Sequence, residues 1–256
     1  MFDTRRQGGW NAIPPVTRNL LIINAIIWLA EIIVPSLGNI IVNKLGLHFW
    51  LSDKFNPVQL FTYMFIHDNH TAMHILFNMF ALWMFGRLME QVWGSRRFLI
   101  YYIVCGFGAG LVQELVWNAT WMQSFTGALS IPATVTASQM GDLVRQGLAE
   151  GDPNLLSLAS QFKGQMLTVG ASGAIFGILL GFAFVFPNLP LYLFFIPIPI
   201  KAKYMVIGYA ALELFLGVSN TSPGVAHFAH LGGMIFGLAM LLYWKKKGKL
   251  GGGYFG

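Results

Sequence analysis

Long apolar stretches alternate with short polar ones along the chain, and the polar stretches carry most of the charge. Six apolar segments stand out, at roughly 19–37, 70–89, 97–117, 169–186, 202–218 and 225–244. A helix needs about 20 apolar residues to cross a bilayer core of about 30 Å. The pattern predicts an all-α polytopic membrane protein, a six-helix bundle spanning 19–244. A polar segment, 1–18, precedes the bundle, and a basic, then Gly-rich tail, 245–256, follows it. The first apolar run, Leu20 to Val34, is followed by no small-residue cleavage site, so it reads as a retained span. Two connections are long, 38–69 and 118–168. The other links are short, which makes those helices antiparallel neighbours.

Composition agrees: 55% of the residues are hydrophobic and 10% charged, against about 25% charged in an average soluble domain. The single cysteine, Cys105, allows no internal disulfide. Six spans put both termini on one side. Twelve of the 16 Lys and Arg residues fall there, as flanks such as Arg5, Arg6, Arg96, Arg97 and Lys245–Lys247. Lys44, Lys54, Arg145 and Lys163 fall on the other. Basic loops stay cytoplasmic, so both termini are expected inside, in a plasma (inner) membrane. This scatter of span flanks also accounts for the net charge of +6 and points to no nucleic-acid partner.

The first long connection, "LGLHFWLSDKFNPVQLFTYMF", is aromatic and sparsely charged, which suits the outer interface of the bilayer. The second holds two helix-like pieces, around 138–149 and 153–163, separated by "GDPN".

Polar groups inside spans are costly and usually face a cavity or a partner. "HILFN" places His74 and Asn78 four apart, on one face of the second span. "HFAHLGG" places His227 and His230 near the start of the sixth, whereas His67 and His70, in "HDNH", read as ordinary interfacial or bonded histidines. The fourth span opens on "TVGASGAIFG", with Ser172 flanked by small residues. Spans two, four and six run in the same direction, so His74, Ser172 and His230 share a depth just below the outer surface. Gly173, Gly177 and Gly181 on span four, with Gly233 and Gly237 on span six, have the spacing that lets helix backbones approach closely in lipid. Such a contact brings the Ser172 hydroxyl near the His230 imidazole, a nucleophile beside a base. His74, Asn78 and the Ser172 N–H are candidate donors to a developing oxyanion, and Gly170, Ala171 and Gly173 leave room for a substrate backbone.

These residues resemble the rhomboid intramembrane serine proteases. "GASG" is similar to that family's G-x-S-G, "HILFN" to its H-x-x-x-N, "AHLGGMIFG" to its A-H-x-x-G followed by a G-x-x-x-G face, and "EQVWGS" to its E-x-x-x-G-S turn. "NPVQLFTYMFIH" is similar to the segment leading into the second span. The resemblance implies a six-helix fold of the rhomboid type and a Ser172–His230 dyad with no acidic third member. It implies cleavage of single-span membrane proteins near the outer ends of their helices, with no metal or organic cofactor. Phe176 stands where the family often has a tyrosine stacked on the base, and Pro57-Val58-Gln59 where many members have Pro-Trp-Gln. Two other classes are a proteolytically inactive relative that binds membrane clients and a small transporter using the intramembrane Glu31 and Glu213.

Overall fold

The computed structural model describes residues 12–68, 72–129, 136–193, 196–219 and 226–250. Helix α1, Pro15–Ile33, opens with proline in its first turn, where the missing N–H has no helical partner to lose. The first expected span ran to residue 37, but the helix ends at Val34. Pro35 starts a second helix, α2, Pro35–Leu45. A proline drives the residue before it out of the helical region, and Val34 takes φ −124° and ψ 86°.

After strand β1, Leu47–His48, comes the short helix α3, Gln59–Thr62, which continues as a 3₁₀ turn over Tyr63–Phe65. Helix α4, Ala72–Ala81, passes through a π-turn, Leu82–Gly86, into α5, Arg87–Trp93. Together they make one apolar span of 22 residues. Gly94, with φ +76°, turns the chain into α6, Ser95–Ala128. Glu90 in the "EQVWGS" turn accepts from the Val16 and Thr17 N–H groups and from the Ser95 and Thr17 hydroxyls, at 2.6–2.9 Å. It thereby caps α1 and ties it to the α5–α6 corner.

Helix α6 has 34 residues, about 51 Å at 1.5 Å per residue, well beyond a bilayer core. Residues 118–128, expected in a connection, therefore belong to helix. Two further helices pack on this projecting end, near the pieces read from sequence: α7, Ala137–Glu150, and α8, Pro153–Gln165. A Thr136–Gln139 capping box starts α7, and Asp152 caps α8. Phe125, Val144 and Ala159 form a small core of their own there.

Strand β2, Leu167–Thr168, pairs antiparallel with β1 and leads into α9, Ser172–Val185. A hairpin of β3, Pro190–Leu193, and β4, Ile196–Lys201, then leads to α10, Ala202–Ser219, and α11, His227–Lys246. Neither strand pair was expected in an all-α chain. Two-residue strands carry no readable period, and prolines in the hairpin argue against strand except in a ladder with free edges.

Among the described residues, five helices are long and apolar enough to cross a membrane: α1, α4–α5, α6, α10 and α11. The chain is an all-α polytopic membrane protein in its architecture. Helix α9 differs, with 14 residues, about 21 Å. Ten of them are buried, so its ends are wrapped in protein instead of meeting lipid. It sits among α6, α11 and the π-turn of the second span. A Cβ at Gly233 of α11 would fall on the Gly173 carbonyl of α9, so the expected contact forms there. Gly177 also borders this contact, a Cβ there lying 3.0 Å from the Gly233 carbonyl, but the outer glycines of the two helices face elsewhere. Gly181 lies against Trp93, and Gly237 lies against Tyr101 and Cys105 of α6. Gly237 is thus a packing residue of α6 on α11, not of α9 on α11. The Tyr101 hydroxyl donates to the Gly177 carbonyl at 2.9 Å and completes the three-helix core.

Candidate active site

Three helices begin at one end of this core, and each carries a candidate group in its first turn. Ser172 is the first residue of α9, His74 the third of α4 and His230 the fourth of α11. All three groups therefore lie at helix starts at one end of the bundle. Ser172 Oγ lies 2.8 Å from His230 Nε2, across 58 residues of sequence. With its proton on Nδ1, the imidazole accepts from the serine hydroxyl through Nε2. The tight Gly173–Gly233 approach holds the two groups at this distance.

The segment before Ser172 is fixed by backbone pairing. β2 is tied to β1, and the Gly170 N–H donates to the Tyr63 carbonyl at 3.0 Å. Gly170 has φ +125°, a region that side-chain-bearing residues rarely enter. A Cβ there would lie 2.8 Å from His74 Nε2 and 3.7 Å from Ser172 Oγ. The missing side chain leaves a notch between Ser172 and His74. The Asp68 N–H lies 3.4 Å from His74 Nδ1. Acceptance there leaves the proton on Nε2, facing the notch. Asn78 is buried, and its Nδ2 has no hydrogen-bond partner among the described residues. A buried amide N–H is normally paired, so an idle one suits a donor waiting for an oxyanion. The Ser172 N–H belongs to a helical first turn, where α9 supplies no partner.

Phe176, one turn below Ser172, stacks on His230 with ring centroids 4.3 Å apart and planes within 5°. The ring fixes the imidazole plane. Phe176→Tyr should keep most of the activity, and Phe176→Ala should lower it about tenfold with the protein still folded. A cleavage assay beside a melting curve checks both, and an unchanged rate in Phe176→Ala would contradict a supporting role for the ring.

The other imidazole nitrogen lies beside a carboxylate. Glu213 Oε2 of α10 lies 3.0 Å from His230 Nδ1 and 2.6 Å from His227 Nδ1. These three residues offer donor atoms within 4.8 Å of one another. The His227 contact is that of a donor–acceptor pair, shorter than the roughly 3.3 Å between neighbouring ligands of a tetrahedral zinc at about 2.0–2.1 Å from the metal.

Behind His74 lies His67, fully buried, its ring 5.2 Å from that of His74. Burial and the neighbouring His74 hold the His67 imidazole down to about 3, so it stays neutral. His70 lies outside the described residues. Sequence reasoning missed the parts played by Glu213, Glu90 and His67. The available signal for Glu213 was a carboxylate inside a span, which demands a partner.

A protein-family model, the Rhomboid domain, matches residues 54–142 and 147–247. Among curated proteins, the chain is 30% identical over 86 residues to "Rhomboid protease GlpG" of Salmonella choleraesuis (strain SC-B67), covering 31% of this chain and 30% of that protein. The same-named protein of Salmonella newport (strain SL254) is 29% identical over the same length, with the same coverage. The chain thus matches about a third of the length of these relatives. The domain match takes in the GASG turn, the HILFN helix and the AHLGG helix together, and on that breadth the chain belongs to the rhomboid family.

Proposed function

We propose that the protein is an intramembrane serine endopeptidase that cleaves single-span membrane proteins near the outer end of their transmembrane helix. The observation that carries this reading is the 2.8 Å contact between Ser172 Oγ and His230 Nε2. The proposed topology has six spans, with α9 as the short central one, and both termini in the cytoplasm. The helix starts that bear His74, Ser172 and His230 then lie toward the outer side. Partners are the lipid bilayer and single-span substrates, and no residue in the proposed reaction requires a metal or organic cofactor.

In this reaction Ser172 Oγ attacks the scissile carbonyl carbon while its proton passes to His230 Nε2. The carbonyl oxygen becomes an oxyanion at the notch beside Gly170, facing His74 Nε2–H, the Asn78 amide and the Ser172 N–H. Collapse returns the proton to the leaving amine and leaves an acyl-enzyme. Water, deprotonated by His230, then attacks the ester and releases the acid and Ser172. The buried donors cost no reorganisation at the moment of reaction.

Asn78→Ala should lower kcat about 10- to 100-fold with the fold intact. Removing one oxyanion donor costs about 10²–10³-fold in a well-studied soluble protease, and two other donors remain here. Steady-state cleavage of one single-span substrate measures it, and a wild-type rate would remove Asn78 from the site.

The broad test is incubation of the purified protein with a panel of single-span substrates in liposomes, beside Ser172→Ala. Site-dependent cleavage of at least one substrate is expected. A panel left intact under conditions where the protein remains folded would favour a client-binding role.

A further inference from the structure

The base has an acidic neighbour that a two-residue mechanism does not use. Glu213 lies on α10, a helix otherwise turned largely toward lipid. Its side chain is 12% exposed, and the side chains of His227 and His230 are 7% and 12% exposed. A carboxylate at such a place is expensive unless it is paired. Both partners come from α11. His227 and His230 are three residues apart and therefore share a face. His227 Nδ1 bonds Oε2 at 2.6 Å and pins the carboxylate. His230 Nδ1 reaches the same oxygen at 3.0 Å, off the line of an aligned hydrogen bond. On the opposite side of the same ring, Nε2 faces Ser172 Oγ at 2.8 Å.

We propose that Glu213 is a positioning residue for the Ser172–His230 pair, an acidic third partner that holds the proton on His230 Nδ1 and stabilises the imidazolium formed as the serine attacks. The proposal rests on the serine-protease reading given above. The order Ser172 Oγ, His230 Nε2, His230 Nδ1, Glu213 Oε2 is that of nucleophile, base and orienting acid. The off-line approach does not remove the effect. Attraction between carboxylate and imidazolium acts through charge and distance, and catalytic hydrogen bonds in an unliganded site often tighten only in the reacting complex. The other groups facing His230 fit this role. Phe176 stacks on its face, and His227 is occupied with the same carboxylate. His74, across the notch from α4, is available for the oxyanion.

The test compares wild type, Glu213→Gln and Glu213→Asp on one cleaved single-span substrate in detergent. It measures kcat and KM separately, together with the rate at which a small fluorophosphonate reacts with Ser172. Glu213→Gln keeps the shape and removes the charge. Its kcat should fall about 10- to 100-fold while KM stays within about twofold, and the fluorophosphonate rate should fall by a similar factor. Replacing the acid of a soluble triad by its amide costs about 10⁴-fold, and a smaller loss is expected for an off-line, shared carboxylate. Glu213→Asp should recover part of the loss. A purely structural role would lower the folded fraction and leave the per-molecule fluorophosphonate rate unchanged.

Wild-type kcat in folded Glu213→Gln, or a loss confined to KM, would overturn the proposal. If Glu213→Gln does not fold, Glu213→Asp decides: a severalfold lower kcat supports the role, and a wild-type kcat overturns it. Failure of the wild type itself both to cleave and to react would instead remove the serine-protease reading, and this proposal with it.

Discussion

Ser172→Ala and His230→Ala should each reduce cleavage of a single-span substrate to background while leaving the protein folded. The hydroxyl and the imidazole are two halves of one device, 2.8 Å apart. Without His230, the serine loses the base that takes its proton. Without Ser172, there is no oxygen to acylate. The double mutant should therefore be no slower than either single mutant, as is found for groups that act as a unit. Measured against intact substrate on a gel, the loss should be at least about 10³-fold. Equal activity in wild type and Ser172→Ala would end the account.

The second large effect falls on a residue that takes no part in the chemistry. A side chain at Gly233 would occupy the place of the Gly173 carbonyl, and backbone atoms cannot rotate out of the way. Helices α9 and α11 must then separate, carrying Ser172 away from His230. Overpacking of this kind costs about 1–3 kcal/mol, and a misplacement of about 1 Å can cost about 10²-fold in rate. Gly233→Ala should lower both thermal stability and kcat, and Gly233→Leu should prevent folding. Gly208 on α10 provides the control, because a Cβ there meets nothing within 4 Å. Gly208→Ala should leave both quantities unchanged. A Gly233→Ala protein with wild-type melting and rate would show that the close approach of α9 and α11 is not what aligns the pair.

Much of this site was legible in the sequence because membrane chains signal span positions strongly. Hydropathy located the helices, and counting spans placed His74, Ser172 and His230 at one depth. The glycine spacing brought α9 and α11 together at Gly173 and Gly233. The spacing could not say which neighbour each further glycine meets, so Gly181 and Gly237 were read onto the wrong contact. Each of them faces an aromatic ring on a third element, Trp93 or Tyr101, and rotation about a helix axis is set by all its neighbours at once. The break at Pro35 falls where the apolar run Leu20 to Val34 ends, and the mixed polar and apolar stretch beyond it gave no clear sign of a second helix. The projecting end of α6 was hidden by its polar composition, although its core with α7 and α8 keeps it helical. The Glu213 contact depends on the tilt and rotation of α10 against α11, which no periodicity records. Glu90 sits in a turn whose motif was recognised, but its four donors come from distant Val16 and Thr17 as well as nearby Ser95.

The central claim is that Ser172 is a nucleophile activated by His230. Its most direct measurement is treatment of the folded protein with a fluorophosphonate, followed by digestion and mass spectrometry of the modified peptide. Such a reagent phosphonylates an activated serine, whose oxygen displaces fluoride from phosphorus, and spares an ordinary hydroxyl. The account predicts one adduct, on Ser172, formed by wild type and strongly reduced in His230→Ala. An unlabelled wild type, an adduct on another serine, or labelling of Ser172 at the same rate in His230→Ala would contradict it.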